Sequence, residues 1–268
     1  MVNRQHTNRN MRFGDVSFSV ASHTAWAPGL DTAAAWLEWA HGRADMNTAV
    51  ADPKVAKMPP MLRRRASATG KMALEAAYAC LPEQAVPSDL PVIFASRHGE
   101  CARSVELLQE LARHAPLSPT SFSLSVHNAN GGLWSIARGD RSNNIAIAAG
   151  SSTVEHALIE ACGLLADGAP QVLLVMADNP PPEVFAAYAD CAEQSFAWAW
   201  LLQADADADA DATGERLSLS WTAEDGETAS ATDVAAPGGL DILRFFLRRD
   251  AELTRVAGGR CWRWSRRA

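Results

Sequence analysis

The stretch Ile145–Ala157, IAIAAGSSTVEHA, decides how the rest of the chain is read. Its first five residues are apolar and partly β-branched, as in a short buried strand. Gly150 ends that run, and Ser152 with Glu155 forms the S-x-x-E pattern of a capping box. A helix is therefore expected from about Thr153. Many enzymes mount a nucleophile on such a strand-to-helix turn. Here the corner residue is glycine, which accepts positive φ at no steric cost. The residues alone leave two readings open: an ordinary turn glycine, or a nucleophile's platform without its nucleophile.

Outward from this turn the chain reads as layered α/β structure. Pro91–Ser96 (PVIFAS) and Gln171–Met176 (QVLLVM) have the apolar runs of buried strands. Between them lie helical patterns at Ala102–Arg113 and at Asn128–Arg138, the second closed by Gly139. A third helix is expected over Thr153–Asp167, with Val154, Ala157, Leu158, Ala161 and Leu165 on one stripe. Strand, helix, strand in this rhythm predicts βαβ units and a parallel, covered sheet.

Farther out the signals are shorter. Val16–Val20 (VSFSV) alternates like a strand, and Asp31–Ala40 reads as a helix with Asp31 as N-cap. Leu62–Leu81 reads as one long helix. After Pro119, the alternation of Phe122, Leu124 and Val126 predicts an extended segment with all three on one face. Ser195–Gln203 and Arg216–Trp221 have strand-like runs, and Gly239–Arg249 is an amphipathic helical pattern. The acidic spacer at 204–213 is expected to be a disordered hairpin loop. The tail Arg260–Ala268 is expected to bury its tryptophans and solvate its arginines. Residues 1–11 are expected to be flexible, and 12–268 to form a single domain.

The bulk properties exclude several classes. The 268 residues suffice for a sizeable core. A net charge of −7 argues against nucleic-acid binding. Five cysteines, an odd number without a CxxC pair, suggest neither a disulfide framework nor a zinc site. No apolar run approaches the roughly 18 residues of a membrane span, and the N-terminus shows no signal peptide, so a cytoplasmic address is expected. No P-loop, GxGxxG, G-x-S-x-G or metal-ligand spacing is present, and neither cofactor nor metal is expected.

The segment Ser118–Ala161 resembles the approach to the active-site cysteine of β-ketoacyl synthases. Asn128, the Gly131-Gly132 pair, Gly139, the strand Ile145–Ala149 and Gly150-Ser151-Ser152 occur in that family's order. Upstream, Met61–Arg65 with Met72–Ala77 resembles the family's first helix, and Phe94–Glu100 (FASRHGE) its strand-to-helix turn. The likeness covers roughly residues 13–180. Ala25–Leu30, Leu62–Arg65 and Ser96–Glu100 are similar to a compact group called chain-length factors, which accompany ketosynthases in aryl-polyene-type and related type II systems.

The resemblance implies α/β architecture: half of a thiolase-like fold, a layered βαβ mixed sheet covered by helices, without the second half of a full ketosynthase. It aligns Gly150 with the nucleophilic cysteine, so no catalytic residue is expected. The family's partner histidines are also missing, because no histidine follows His156. The implied role is a pseudoenzyme subunit of a β-ketoacyl-carrier-protein synthase complex in polyketide, aryl polyene or fatty-acid-like biosynthesis. It would form a heterodimer with a full-length ketosynthase and meet acyl carrier protein only indirectly. Asn144, Ile145 and Ile147 are the implied interface residues, and Phe122, Leu124 and Val126 the candidates for gating the partner's acyl tunnel. Two alternatives stay open: an acyltransferase or thioesterase using Ser151 or Cys101, and a carrier-protein scaffold without a ketosynthase. His98 and Cys101 could form a thiol–imidazole pair, which spacing alone does not establish. For His156 a core or capping role is expected.

Overall fold

The computed structural model describes residues 14–46, 52–81, 89–205, 214–223 and 236–267. Residues 1–11 and most of the acidic spacer lie outside them. The strands are β1 (Gly14–Trp26), β2 (Val92–Ala95), β3 (Asn144–Ile147), β4 (Val172–Asp178), β5 (Phe196–Ala204), β6 (Glu215–Ala223), β7 (Glu252–Ala257) and β8 (Arg260–Arg266). The helices are α1 (Ala33–Ala40), α2 (Pro60–Arg63), α3 (Ala68–Cys80), α4 (Cys101–Ala112), α5 (Pro119–Ser123), α6 (Ala129–Arg138), α7 (Thr153–Ala166) and α8 (Gly238–Arg248).

The strands form one sheet in the order β3-β2-β4-β5-β1-β6-β8-β7. β3 and β4 run parallel to β2 on either side of it, as helical crossovers require. Every other pairing is antiparallel. The sheet is therefore mixed, with a parallel part confined to the β3-β2-β4 end.

β5 shows how one strand specifies two layers. Phe196, Trp198, Trp200 and Leu202 join the core beneath α7 and α8. Ala197 and Ala199 face the other way, against the alanine-rich α3. Large residues fill the thick layer, and small ones let a helix approach closely. Trp262 and Trp264 of β8 are fully buried in the thick layer, while Arg260 and Arg263 are exposed. The tail buries its tryptophans as expected, but Arg266 is not left in solvent: it is half-buried, pairs with Glu215 and lies over the Phe245 ring.

Several local expectations are corrected. Thr32, not Asp31, caps α1: its hydroxyl accepts from Ala35 N at 3.1 Å. The single helix expected over Leu62–Leu81 is two, because Ser67 starts a new one by accepting from Gly70 N at 2.9 Å. The segment after Pro119 is helical rather than extended. Ser118 caps it and Pro119 takes the first position, so Phe122, Leu124 and Val126 do not share a strand face. β5 and β6 are not a hairpin; both pair with β1, which lies between them. β7 was not expected at all.

Candidate functional site

β3 is a terminal strand of the sheet, half-buried along its length. Val92 N donates to Asn143 O at 2.9 Å, and Ser96 N to Ile147 O at 3.0 Å. In a strand the N–H and C=O of one residue point to the same side, and the side alternates along the chain. Residues 143, 145 and 147 thus turn their backbone toward β2. Asn144, Ala146 and Ala148 turn theirs to the open edge. The side chains divide likewise between the two faces. Ile145 and Ile147 pack on the core beneath α7. The Asn144 amide donates to Gly131 O at 2.9 Å, and a Cβ on Gly131 would collide with Asn144 Oδ1. The Asn144 side chain is therefore spent within this chain; what it offers a partner is backbone.

The elbow follows. Gly150 has φ +57° and is exposed, with no atom within 4 Å of where a Cβ would stand. A short 3₁₀ turn over Gly150–Ser152 leads into α7. The capping box does not form. Ser152 Oγ donates to Ala149 O at 3.1 Å instead of capping α7. Thr153 closes the turn, its hydroxyl accepting from Ala149 N at 3.0 Å and donating to Gly150 O at 2.7 Å.

Glu155, fully buried, turns away from the cap to an ion pair with Arg255 of β7. Arg255 Nη2 also donates to Ser151 O at 3.3 Å. His156 Nδ1 lies 2.9 Å from Ser152 O, and its ring stands edge-on to Trp262. That is the core role expected of His156. The elbow is thus gripped from behind by the last two strands, while its outer surface carries no side chain at the corner. Arg255 could not be read from the sequence, since its partner lies a hundred residues upstream.

The segment containing the gate candidates adjoins this surface. Phe122 is 66% exposed and Val126 44%, whereas Leu124 is half-buried against the α3–α6 core. The next residue, His127, places Nε2 3.1 Å from Ile147 O at the end of β3. Edge strand, elbow and exposed apolar segment therefore adjoin one another.

The neighbouring turn, between β2 and α4, is built differently. Buried Asp178 accepts from Ser96 Oγ and Arg97 N, both at 2.8 Å. Burial pushes its carboxyl up to about 6. Arg97 pairs with Asp190 and Glu193. His98 Nε2 lies 2.9 Å from Glu193 Oε1, and among the described residues no side-chain hydrogen bond joins the His98 ring to the Cys101 thiol. Burial pushes the Cys101 thiol up, the wrong direction for a nucleophile. The residues Asp190, Cys191 and Glu193 are close enough for a metal site, but the Arg97 guanidinium already supplies the cation there. Among the described residues no helix is long and apolar enough to cross a membrane.

A mixed sheet with a strand-to-helix elbow at its parallel end defines a class, and sequence comparison agrees. The chain belongs to the β-ketoacyl synthase, N-terminal domain family, whose model matches residues 36–265. The match runs well past the segment in which the sequence alone shows the likeness and takes in the C-terminal strands. Among solved structures, it is similar to a chain of the ketosynthase ApeO in complex with its chain length factor ApeC from Xenorhabdus doucetiae. Identity is 26% over 94% of this chain and 100% of that one, with a TM-score of 0.78. The fold is shared with the ishigamide ketosynthase/chain length factor, at 12% identity over 94% of this chain and 99% of that one, TM-score 0.72. It is also shared with ketosynthase twelve of the bacillaene polyketide synthase in Bacillus amyloliquefaciens, at 12% identity and TM-score 0.54. That match takes in 79% of this chain but only 46% of the other. Comparison with curated protein sequences returns no match.

Proposed function

We propose that this chain is a non-catalytic subunit of the chain-length-factor type. It pairs through β3 with a full-length ketosynthase and shapes the end of that partner's acyl tunnel, in an aryl-polyene-like or related type II system. The observation that carries the proposal is the exposed, side-chain-free Gly150 beside an unpaired edge strand. Ketosynthase chemistry needs a thiolate at the elbow to accept an acyl group from a thioester. Glycine offers none, and residues 157–268 contain no histidine. The likeness to a chain of the ApeO–ApeC complex supports the pairing. So does the incomplete overlap with the bacillaene ketosynthase, which is what a half-fold would give.

An open strand edge is satisfied by another strand. The adjoining Phe122 and Val126 would supply apolar contact, and an obligate interface of this kind buries upwards of roughly 2,000 Å². The decisive experiment has two arms. Co-expressed with its cognate ketosynthase, the chain should elute as a heterodimer at micromolar concentration; separate elution refutes the pairing. Alone, incubated with acyl-carrier thioester, it should show no acyl adduct by intact mass spectrometry. A stable adduct on Ser151, Cys101 or any other residue refutes the non-catalytic reading. Gly150→Cys should not restore condensation.

A further inference from the structure

A second candidate site lies on β1, which three strands separate from β3 in the sheet. β6 pairs with β1 only from Gly14 to Val20. Beyond that point α1 and α8 close over β1 and leave a cavity of about 530 Å³. Its walls include Ala25, Trp36, Leu37, Phe246 and Leu247, with His23 among them. That volume falls in the range of small-molecule sites, which are mostly apolar with few polar groups.

His23 reaches this face because of an irregularity in β1. Phe18 and Val20 point into the core beneath α7 and α8. Strict alternation would send Ser22 the same way and His23 to the opposite layer. The register shifts between Val20 and Ser22. Ser22 then donates to Cys80 O in α3, at 2.9 Å, and His23 stands edge-on to Phe246 of α8 at 4.8 Å. A bulge that re-aims one side chain is a recurrent device beside binding sites.

Among the described residues no hydrogen bond holds the His23 ring, which is accessible from the cavity. Its walls still desolvate it enough to lower its pKa, so the neutral imidazole dominates at pH 7. A neutral imidazole offers one donor and one acceptor. The charges at the mouth are unsuited to an anion. Arg249 Nη2 is paired with Glu215 at 3.0 Å, Glu215 also pairs with Arg266, and Asp31 adds a negative charge.

The geometry points to a binding site for an uncharged apolar molecule carrying a hydroxyl or carbonyl group, which hydrogen-bonds His23 while its body lies against Trp36, Leu37 and Phe246. The site is separate from the β3 edge, so its occupant is a free ligand rather than the partner's growing chain.

The test compares 2-naphthol with naphthalene, which differ by one hydroxyl, in NMR titrations of the full chain. 2-Naphthol should shift signals of cavity residues and bind about 2- to 10-fold more tightly than naphthalene, the range of one net hydrogen bond. His23→Phe should erase that preference. Leu37→Trp, made on a side chain that is 43% exposed, should fill the cavity and weaken both ligands at least about 5-fold. The proposal is overturned if neither ligand shifts cavity signals, or if the preference survives His23→Phe in a folded chain. Should His23→Phe not fold, unchanged 2-naphthol affinity in Leu37→Trp overturns it.

Discussion

At one end of the sheet, β3 turns the backbone of Asn144, Ala146 and Ala148 outward, and no residue of the strand is charged. Exposed apolar side chains stand nearby: Phe122, Val126, Ile136 on α6, and Leu108 and Leu111 on α4. At the other end, β7 exposes Glu252 and Thr254, and neighbouring β8 exposes Arg260 and Arg263. Val256 is the one large exposed hydrophobic of that strand pair. Charged side chains are a common protection of a strand edge against unwanted pairing. On the pairing proposed above, the two ends have opposite tasks, one to be covered and one to stay wet. It also explains why the elbow can be bare: the polar work around it is done from behind, by Arg255.

Removing that support should have the largest effect. Arg255→Ala leaves Glu155 as a buried carboxylate without its cation, a change that costs about 3–5 kcal/mol. Denaturant unfolding of the isolated chain would measure it. A loss below about 1 kcal/mol would mean that the C-terminal strands do not grip the elbow.

Asp178 separates internal polar work from the interface. Its pKa is raised by burial, from an ordinary 3.8 to about 6, so between these values the folded chain holds a proton that the unfolded chain has released. Folding stability should therefore fall as pH rises from about 4 to 6, by up to about 3 kcal/mol for a shift of this size. Asp178→Asn keeps an acceptor for Ser96 and Arg97 and cannot ionise. It should flatten that slope while leaving pairing with the ketosynthase unchanged. Weakened pairing would show that this turn belongs to the interface after all.

The edge itself is tested by two prolines. Ala146→Pro removes an outward N–H and spares the bonds to β2, so the folded chain should survive while affinity for the partner drops about 30-fold, or roughly 2 kcal/mol. Ile147→Pro removes an N–H that points to β2, and should instead destabilise the domain. The reverse pattern in thermal melts and gel filtration would mean that the strand register is misassigned.

What the sequence revealed follows the reach of each signal. The apolar runs of β2, β4 and β5 were legible because burial on both faces leaves little else in a strand, and β6 was legible by its alternation of buried Leu217 and Leu219 with serines. So was α8, and so were the buried tryptophans of β8. Where two local signals competed, the weaker was easily chosen. F-S-L-S-V alternates like a strand, but Ser118 and Pro119 start a short helix that takes in Phe122 and Ser123 and is capped at Leu124. The run after Leu62 is rich in helix formers, and only the cap at Ser67 marks its break. Long-range pairs were out of reach. Ser152 and Glu155 have capping-box spacing, yet an arginine a hundred residues downstream takes the carboxylate. The insertion of β1 between β5 and β6 is likewise a property of the whole fold rather than of any segment.

The smallest expected effect falls on Phe122, and it carries the most specific claim. At 66% exposure this side chain is not part of the domain's own core, and Phe122→Ala should change the stability of the isolated chain by under about 0.5 kcal/mol. Leu124, by contrast, packs on the α3–α6 core, which leaves Phe122 and the partly exposed Val126 as side chains free to meet a partner. If Phe122 closes the end of the partner's tunnel, its loss opens space that a longer chain can fill, much as an engineered cavity admits a ligand. The reconstituted complex should then assemble normally and release longer products, read by mass spectrometry of the carrier-bound chains. An unchanged product distribution from an intact complex would remove Phe122 as the gate. Loss of the complex would instead make it an anchor of the interface, of the kind in which a single buried aromatic carries much of the binding energy.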